Sequence, residues 1–130
     1  MMQRSLSASF ILVVLFLGGC SNSPATAVVE GSISFDGKPL ANAEVVFQPF
    51  DGSRSSDGMT DASGKYSLRF TPTKLGAVPG EHKVSIRTAP GEPDPENPIK
   101  ELLPAKYHSA TELKATLRKG RQVVDFDLKP

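Results

Sequence analysis

The chain has a single cysteine in 130 residues, Cys20. A lone thiol excludes an intramolecular disulfide, and it excludes a metal site built on several thiolates. Charge of either sign is not in excess, since 15 lysines and arginines stand against 14 aspartates and glutamates. No basic face able to neutralise a run of phosphates follows from that balance, so nucleic acid is not an expected partner and long-range steering is weak. Helical spacing of apolar residues is not sustained beyond residue 19, which argues against an α-helical domain. No serine sits in a Gly-x-Ser-x-Gly elbow.

What is present begins with the stretch FILVVLFLGGCSNS, Phe10 to Ser23. Arg4 is the only charge among the first nineteen residues, Ala8 to Leu17 is almost wholly apolar, and the small pair Gly18-Gly19 precedes the cysteine. Positive, apolar, then small is the layout of a secretory signal. Ten helical residues span about 15 Å against about 30 Å of bilayer hydrocarbon, so the run is too short to remain as a transmembrane anchor. Leu17-Gly18-Gly19-Cys20 resembles the lipobox of bacterial lipoproteins. That resemblance implies that residues 1–19 are removed, that Cys20 carries lipid, and that the protein meets the membrane through this N-terminal lipid. The competing reading is a buried free cysteine. More than one acyl chain holds a protein firmly, at about 0.8 kcal/mol per buried methylene. Ser21, unlike an aspartate there, is compatible with export to an outer membrane under the enterobacterial sorting rule.

Removing residues 1–19 from the 130 leaves 111, enough for one domain with one modest core. With Arg4 gone the charges balance at 14 of each sign. Residues 20–27, with SNSPATA after the cysteine, read as a lipidated tether, and residues 28–130 as the domain. Ala89 to Lys100 holds four prolines and reads as a long exposed loop.

Within the domain the period is two. Val29, Gly31, Ile33 and Phe35 alternate with Glu30, Ser32 and Ser34, and the turn dipeptide Asp36-Gly37 follows. Ala43, Val45 and Phe47 repeat the pattern, which predicts that these first two strands are joined as neighbours. Asp51 to Gly58 reads as a loop. Tyr66, Leu68 and Phe70 form a further strand after a turn at Asp61 to Gly64, and His82, Val84 and Ile86 another. Leu113, Ala115 and Leu117, the turn Arg118 to Arg121, and Val124, Phe126 and Leu128 read as a closing hairpin. Six or seven short strands, with turns about every 8 to 12 residues, predict an all-β, antiparallel Greek-key sandwich of about seven strands.

The stretches VEGSISFDGKPLANAEVVFQP, TDASGKYSL and VPGEHKVSI resemble the carboxypeptidase regulatory-like domain, a transthyretin-like (prealbumin-like) sandwich. Leu103-Pro104-x-Lys106-Tyr107 is similar to an element of small planctomycete-type lipoproteins that carry this domain. The resemblance covers Val28 to Leu128 and implies a non-catalytic module. One departure is His82, where these domains usually carry tyrosine or phenylalanine.

Enzymes share this architecture, so the reactive residues need separate weighing. Tyr66, Tyr107, His82 and His108 match in number the two tyrosines and two histidines that hold iron in intradiol dioxygenases. That family spaces its histidines one residue apart, however, and here twenty-five residues lie between them. The Tyr-Arg-Gly-Ser ending of hydroxyisourate hydrolases is absent. Asp51, Asp57 and Asp61 lie in one loop region without the order of a calcium loop, and read as solvated turn residues rather than a calcium site. Lys114, Arg118, Lys119 and Arg121 are the densest basic group and read as the outer face and tip of a hairpin, the alternative being contact with anionic lipid or wall polymer. The expectation is a lipid-anchored protein of the cell envelope, on the periplasmic or outer-surface side. It has no cofactor, no metal and no catalytic residues, and presents loops to an unknown envelope protein or glycan. The alternatives are a transthyretin-fold hydrolase or metal enzyme using His82 and His108, and an edge-strand assembly protein.

Overall fold

The computed structural model describes residues 23–89, 95–96 and 100–130. The expected signal, Cys20 and the first residues of the tether lie outside them. In chain order the elements are β1 (Ala27–Phe35), β2 (Lys38–Pro39), β3 (Glu44–Pro49), β4 (Ser56–Met59), β5 (Lys65–Ser67), β6 (Arg69–Thr71), β7 (Lys74–Leu75), β8 (Gly80–Arg87), one 3-10 turn (Ala105–Tyr107), β9 (Lys114–Leu117), β10 (Gly120–Val123) and β11 (Phe126–Leu128). No helix among the described residues is long and apolar enough to cross a membrane.

Two sheets pack together as an all-β sandwich. In the first, β1 is central, with β5 and β2 antiparallel to it on one side and β10 and β11 parallel to it on the other. The second runs β7-β6-β4-β3-β8-β9, antiparallel throughout. The alternation read from the sequence describes the core correctly: Val29, Ile33, Val45, Phe47, Val84 and Ile86 are buried, and Glu30, Gln48 and Lys83 face out. Asp36 and Gly37, at φ of 54° and 77°, make the expected two-residue turn, whose doubly left-handed backbone matches strand twist.

Pairing differs from expectation in four places. The turn at Asp36-Gly37 joins β1 only to the two-residue β2, while β3 belongs to the other sheet. The stretch Asp51 to Gly58 is not all loop, because Ser56–Met59 is a strand lying between β3 and β6. Its inward positions are Ser56 and Gly58, small because the chain passes close by: a Cβ on Gly58 would sit 2.5 Å from the Ser67 carbonyl oxygen. The strand through Tyr66 and Phe70 is cut at Leu68, so that β5 serves the first sheet and β6 the second. Strands that change sheets in this way form the corners of a sandwich. Finally, Arg118 to Arg121 is no hairpin tip. β9 pairs with β8 and β10 with β1, so the segment carries the chain from one sheet to the other, with the Gln122 side-chain amide bonded to the Arg118 N–H and carbonyl.

The closing strand fixes the first sheet through an unusual fit. β10 and β11 keep one register along β1, from Ala27 opposite Gly120 to Phe35 opposite Leu128, interrupted at Val124-Asp125. There the Val124 carbonyl turns in over Gly31 and accepts a hydrogen bond from the Tyr66 hydroxyl. The Asp125 carboxylate takes up the Ser32 N–H at 2.7 Å instead. A Cβ on Gly31 would sit 1.8 Å from the Val124 oxygen, so alanine there forces the strands apart. Gly31→Ala is expected to cost about 3 kcal/mol. Gly37→Ala, with nothing within 4 Å of its Cβ, should cost only the left-handed backbone, about 1 kcal/mol. Thermal melting of both variants checks the order, and equal losses would contradict this account of the closing strand.

Candidate functional site

The change of sheet at Leu68 bends the surface, and the bend leaves an open groove of about 670 Å³. Its floor is the outer face of the first sheet, where Glu30 and Ser32 of β1 stand opposite Ser67 and Lys65 of β5. Three apolar side chains border it although solvent reaches them: Met59 is 50 %, Leu75 59 % and Val123 64 % exposed. Arg69 and Asp125 complete the charged lining. Glu30, Lys65 and Arg69 are exposed to solvent.

Two groups in the groove are committed to the fold. The Asp61 carboxylate accepts hydrogen bonds from the Ser63 and Lys65 N–H groups and the Ser63 hydroxyl. The Lys65 N–H and then Ser63 hold it below the usual carboxylate range. Tyr66 is buried, and burial first, then the Asp125 charge, push its phenol well above the ordinary tyrosine range. It stays a neutral donor to Val124.

The four residues weighed as iron ligands are each bonded to main chain of a different part of the fold. Tyr66 is held by Val124. The Tyr107 hydroxyl donates to the Lys129 carbonyl at 2.7 Å and accepts from the Lys129 N–H at 2.8 Å, which clasps the chain beyond β11. His108 Nε2 lies 3.1 Å from the Leu103 carbonyl. His82 is wholly buried on β8, its Nε2 donating to the Val78 carbonyl at 2.6 Å and its ring 5.8 Å from that of Phe47. It fills the place of the aromatic side chain that the resemblance led one to expect, and its Nδ1 has no partner. Neither histidine lines the groove.

The acidic trio is also dispersed in role. Asp51 binds the Ser53 N–H of its own turn at 2.9 Å, and Ser53 keeps its carboxyl below the usual range. Asp57 is exposed on β4 opposite Val46 and Arg69. Among the described residues no three histidine, cysteine, aspartate or glutamate side chains gather as a metal site. Of the basic group, Lys114 lies on β9 with its ammonium 5.8 Å from the Phe50 ring centre, whereas Lys119 and Arg121 are exposed where the chain crosses between sheets.

One cluster had no signal in the sequence. Glu101 accepts from the Thr88 N–H and hydroxyl, the Ala89 N–H and the Leu103 N–H, at 2.8–3.1 Å. The Leu102 N–H donates to the Thr88 hydroxyl at 2.8 Å. Together these close the base of the proline-rich stretch, whose residues 90–94 and 97–99 lie outside the described residues. Burial opposes ionisation of Glu101, but the donors from Thr88, Ala89 and Leu103 outweigh it and bring the pKa down from 4.5 to about 2. A carboxyl depressed by folding contributes stability that is complete above the unfolded value and lost as pH falls through the folded one. Glu101→Gln should therefore lose about 2 kcal/mol at neutral pH. It should also melt with less pH dependence than the parent between about pH 4.5 and 2, the range over which Glu101 titrates. Parallel melting curves for the two proteins across that range would contradict the assignment.

No protein-family model matches this chain, and no curated protein matches it.

Proposed function

We propose that the chain is a lipid-anchored bacterial envelope protein whose sandwich is a non-catalytic binding module. In this reading residues 1–19 are a signal peptide, Cys20 carries the lipid, residues 20–27 are the tether, and residues 28–130 are a carboxypeptidase regulatory-like domain with transthyretin-like, Greek-key connectivity. The resemblance to that family gains support from what the matching residues do. Gly31 admits the Val124 carbonyl, Asp36-Gly37 makes the first turn, Asp61 to Gly64 makes the next, and Tyr107 clasps Lys129.

The observation that carries the binding function is the makeup of the groove. Exposed Met59, Leu75 and Val123 border solvated Glu30, Lys65 and Arg69. Sugar recognition draws on exposed aromatic faces, and the one aromatic side chain of the groove, Tyr66, is buried and bonded. Apolar side chains with an adaptable methionine among charges of both signs suit a polypeptide better than a glycan. The groove offers no histidine or cysteine, and its Asp61 and Asp125 carboxylates already accept main-chain N–H groups, which favours binding over catalysis.

Two measurements test the two halves of this reading. Replacing Cys20 with serine should move the protein from the membrane to the soluble fraction, and a variant that still sediments with membranes would end the anchor. Cross-linking in intact cells, with partners identified by mass spectrometry, should recover a recurring polypeptide with the parent protein and lose it with Leu75→Asp/Met59→Asp. Both positions are at least half exposed, so the fold should tolerate the change. An unchanged set of partners would remove the groove from the function.

A further inference from the structure

The strand made by β10 and β11 ends its sheet. Its even-numbered residues face β1: the Gly120 N–H donates to Thr26 and the Val124 N–H to Glu30, while the Asp36 N–H donates to the Leu128 carbonyl. By the alternation of a strand, the main-chain groups of Arg121, Val123 and Asp127 point to the open side, and no further strand follows there among the described residues. The odd-numbered side chains of this edge, Arg121, Val123, Asp125 and Asp127, are all exposed, and so is Lys119 just before it, where the chain crosses between the sheets. Read along the edge, they are two cations, one apolar residue and two anions.

That order is its own complement when reversed. We propose that this edge pairs with the same edge of a second copy, antiparallel, with Val123 opposite Val123. Arg121 of each copy then faces Asp125 of the other, and Lys119 faces Asp127. No other register does as well. Moved by one step towards the C-terminus, Val123 meets Asp125 and Lys119 meets Lys129; moved the other way, Val123 meets Arg121. Parallel pairing in register would set like charge on like charge along the whole edge, which disfavours it. Both acidic side chains are anchored on β1. Asp125 uses Oδ1 on the Ser32 N–H and leaves Oδ2 open, and Asp127 is steadied by the Ser34 hydroxyl and Lys129.

The interruption at Val124-Asp125 bounds the shared ladder to a few residues. The contact is therefore smaller than the roughly 1,600 Å² of a stable complex, and the pair is weak in dilute solution. Because the two-fold axis of such a pairing stands perpendicular to the sheet, both outer faces lie on the same side. Both grooves, which Val123 and Asp125 border, then open in one direction.

Disulfide trapping in the full chain tests the register. Residues directly opposite in a hydrogen-bonded antiparallel pair have Cα atoms about 5.5 Å apart, inside the range of about 4.4–6.8 Å that a disulfide spans. Val123→Cys, expressed into an oxidising envelope, should run as a dimer on a non-reducing gel. Thr116→Cys, exposed on the outer edge of the other sheet, should not; both variants keep Cys20, so any bond through that residue is common to the two. Adding Arg121→Glu to Val123→Cys should lower the dimer about tenfold. Equal dimer from the two cysteine variants, disulfides from Val123→Cys to other proteins in place of a second copy, or a yield indifferent to Arg121→Glu would each overturn the proposal.

Discussion

The Tyr66 hydroxyl reaches over β1 to the Val124 carbonyl, and the rest of the first sheet is arranged around that contact. It needs Gly31, whose missing side chain is the space the carbonyl occupies. Through one partly buried hydrogen bond that passes over β1, it ties β5 to the closing strand, far apart in sequence. With the carbonyl turned inward, the Ser32 N–H would be orphaned, and the Asp125 carboxylate takes its place as acceptor. The interaction is a sound one energetically because Tyr66 is neutral. Burial and the Asp125 charge both oppose a phenolate there, so the donor keeps its proton well above the ordinary tyrosine range.

Two crossings between sheets give the molecule its surface features. At Leu68 the chain leaves the first sheet for the second, with the Leu68 N–H on Val29 and its carbonyl on Gly76. The outer faces of the two sheets meet there at an angle, and that angle is the groove. Beyond Leu117 the chain returns from β9 to β10. It then has only the free side of β1 to run along, so it ends the sheet as an open edge. Groove and edge adjoin because both crossings flank the same central strand.

Much of the core was legible in the sequence, and much of the pairing was not. Alternation at Val29, Ile33, Val45, Phe47, Val84 and Ile86 reports directly which side chains are inside. It says nothing of which strand lies beside which, because a strand obeys the same period in either sheet. Hence β3 looked like the partner of β1, and the split at Leu68 was invisible: Tyr66, Leu68 and Phe70 keep their alternation straight through the change of sheet. Ser56–Met59 was hidden for another reason. Its inward residues are Ser56 and Gly58, which a loop would also use, and only the neighbouring Ser67 carbonyl explains their size. The groove fared likewise. Val123 carried a signal, since two consecutive valines on a strand cannot both face inward, but Met59 and Leu75 come together only through the bend.

His82 illustrates how the same core absorbs a polar residue. Its ring packs on Phe47 and one nitrogen finds the Val78 carbonyl, so it occupies aromatic space with half of its hydrogen bonding met. The Ser56 hydroxyl, on the strand beside Phe47, is likewise buried without a partner. Each unpaired buried polar atom costs about 1–3 kcal/mol, and the sandwich carries both against a core of fully buried aliphatic and aromatic side chains. Stability of this kind comes from the inner faces alone. The outer face of the first sheet is thereby released from any structural duty except at Asp125, Asp127 and the turn at Asp61. Of the exposed large apolar side chains, Met59, Leu75 and Val123 lie along one groove and the edge beside it, whereas Val28, Phe50 and Leu102 are exposed away from it.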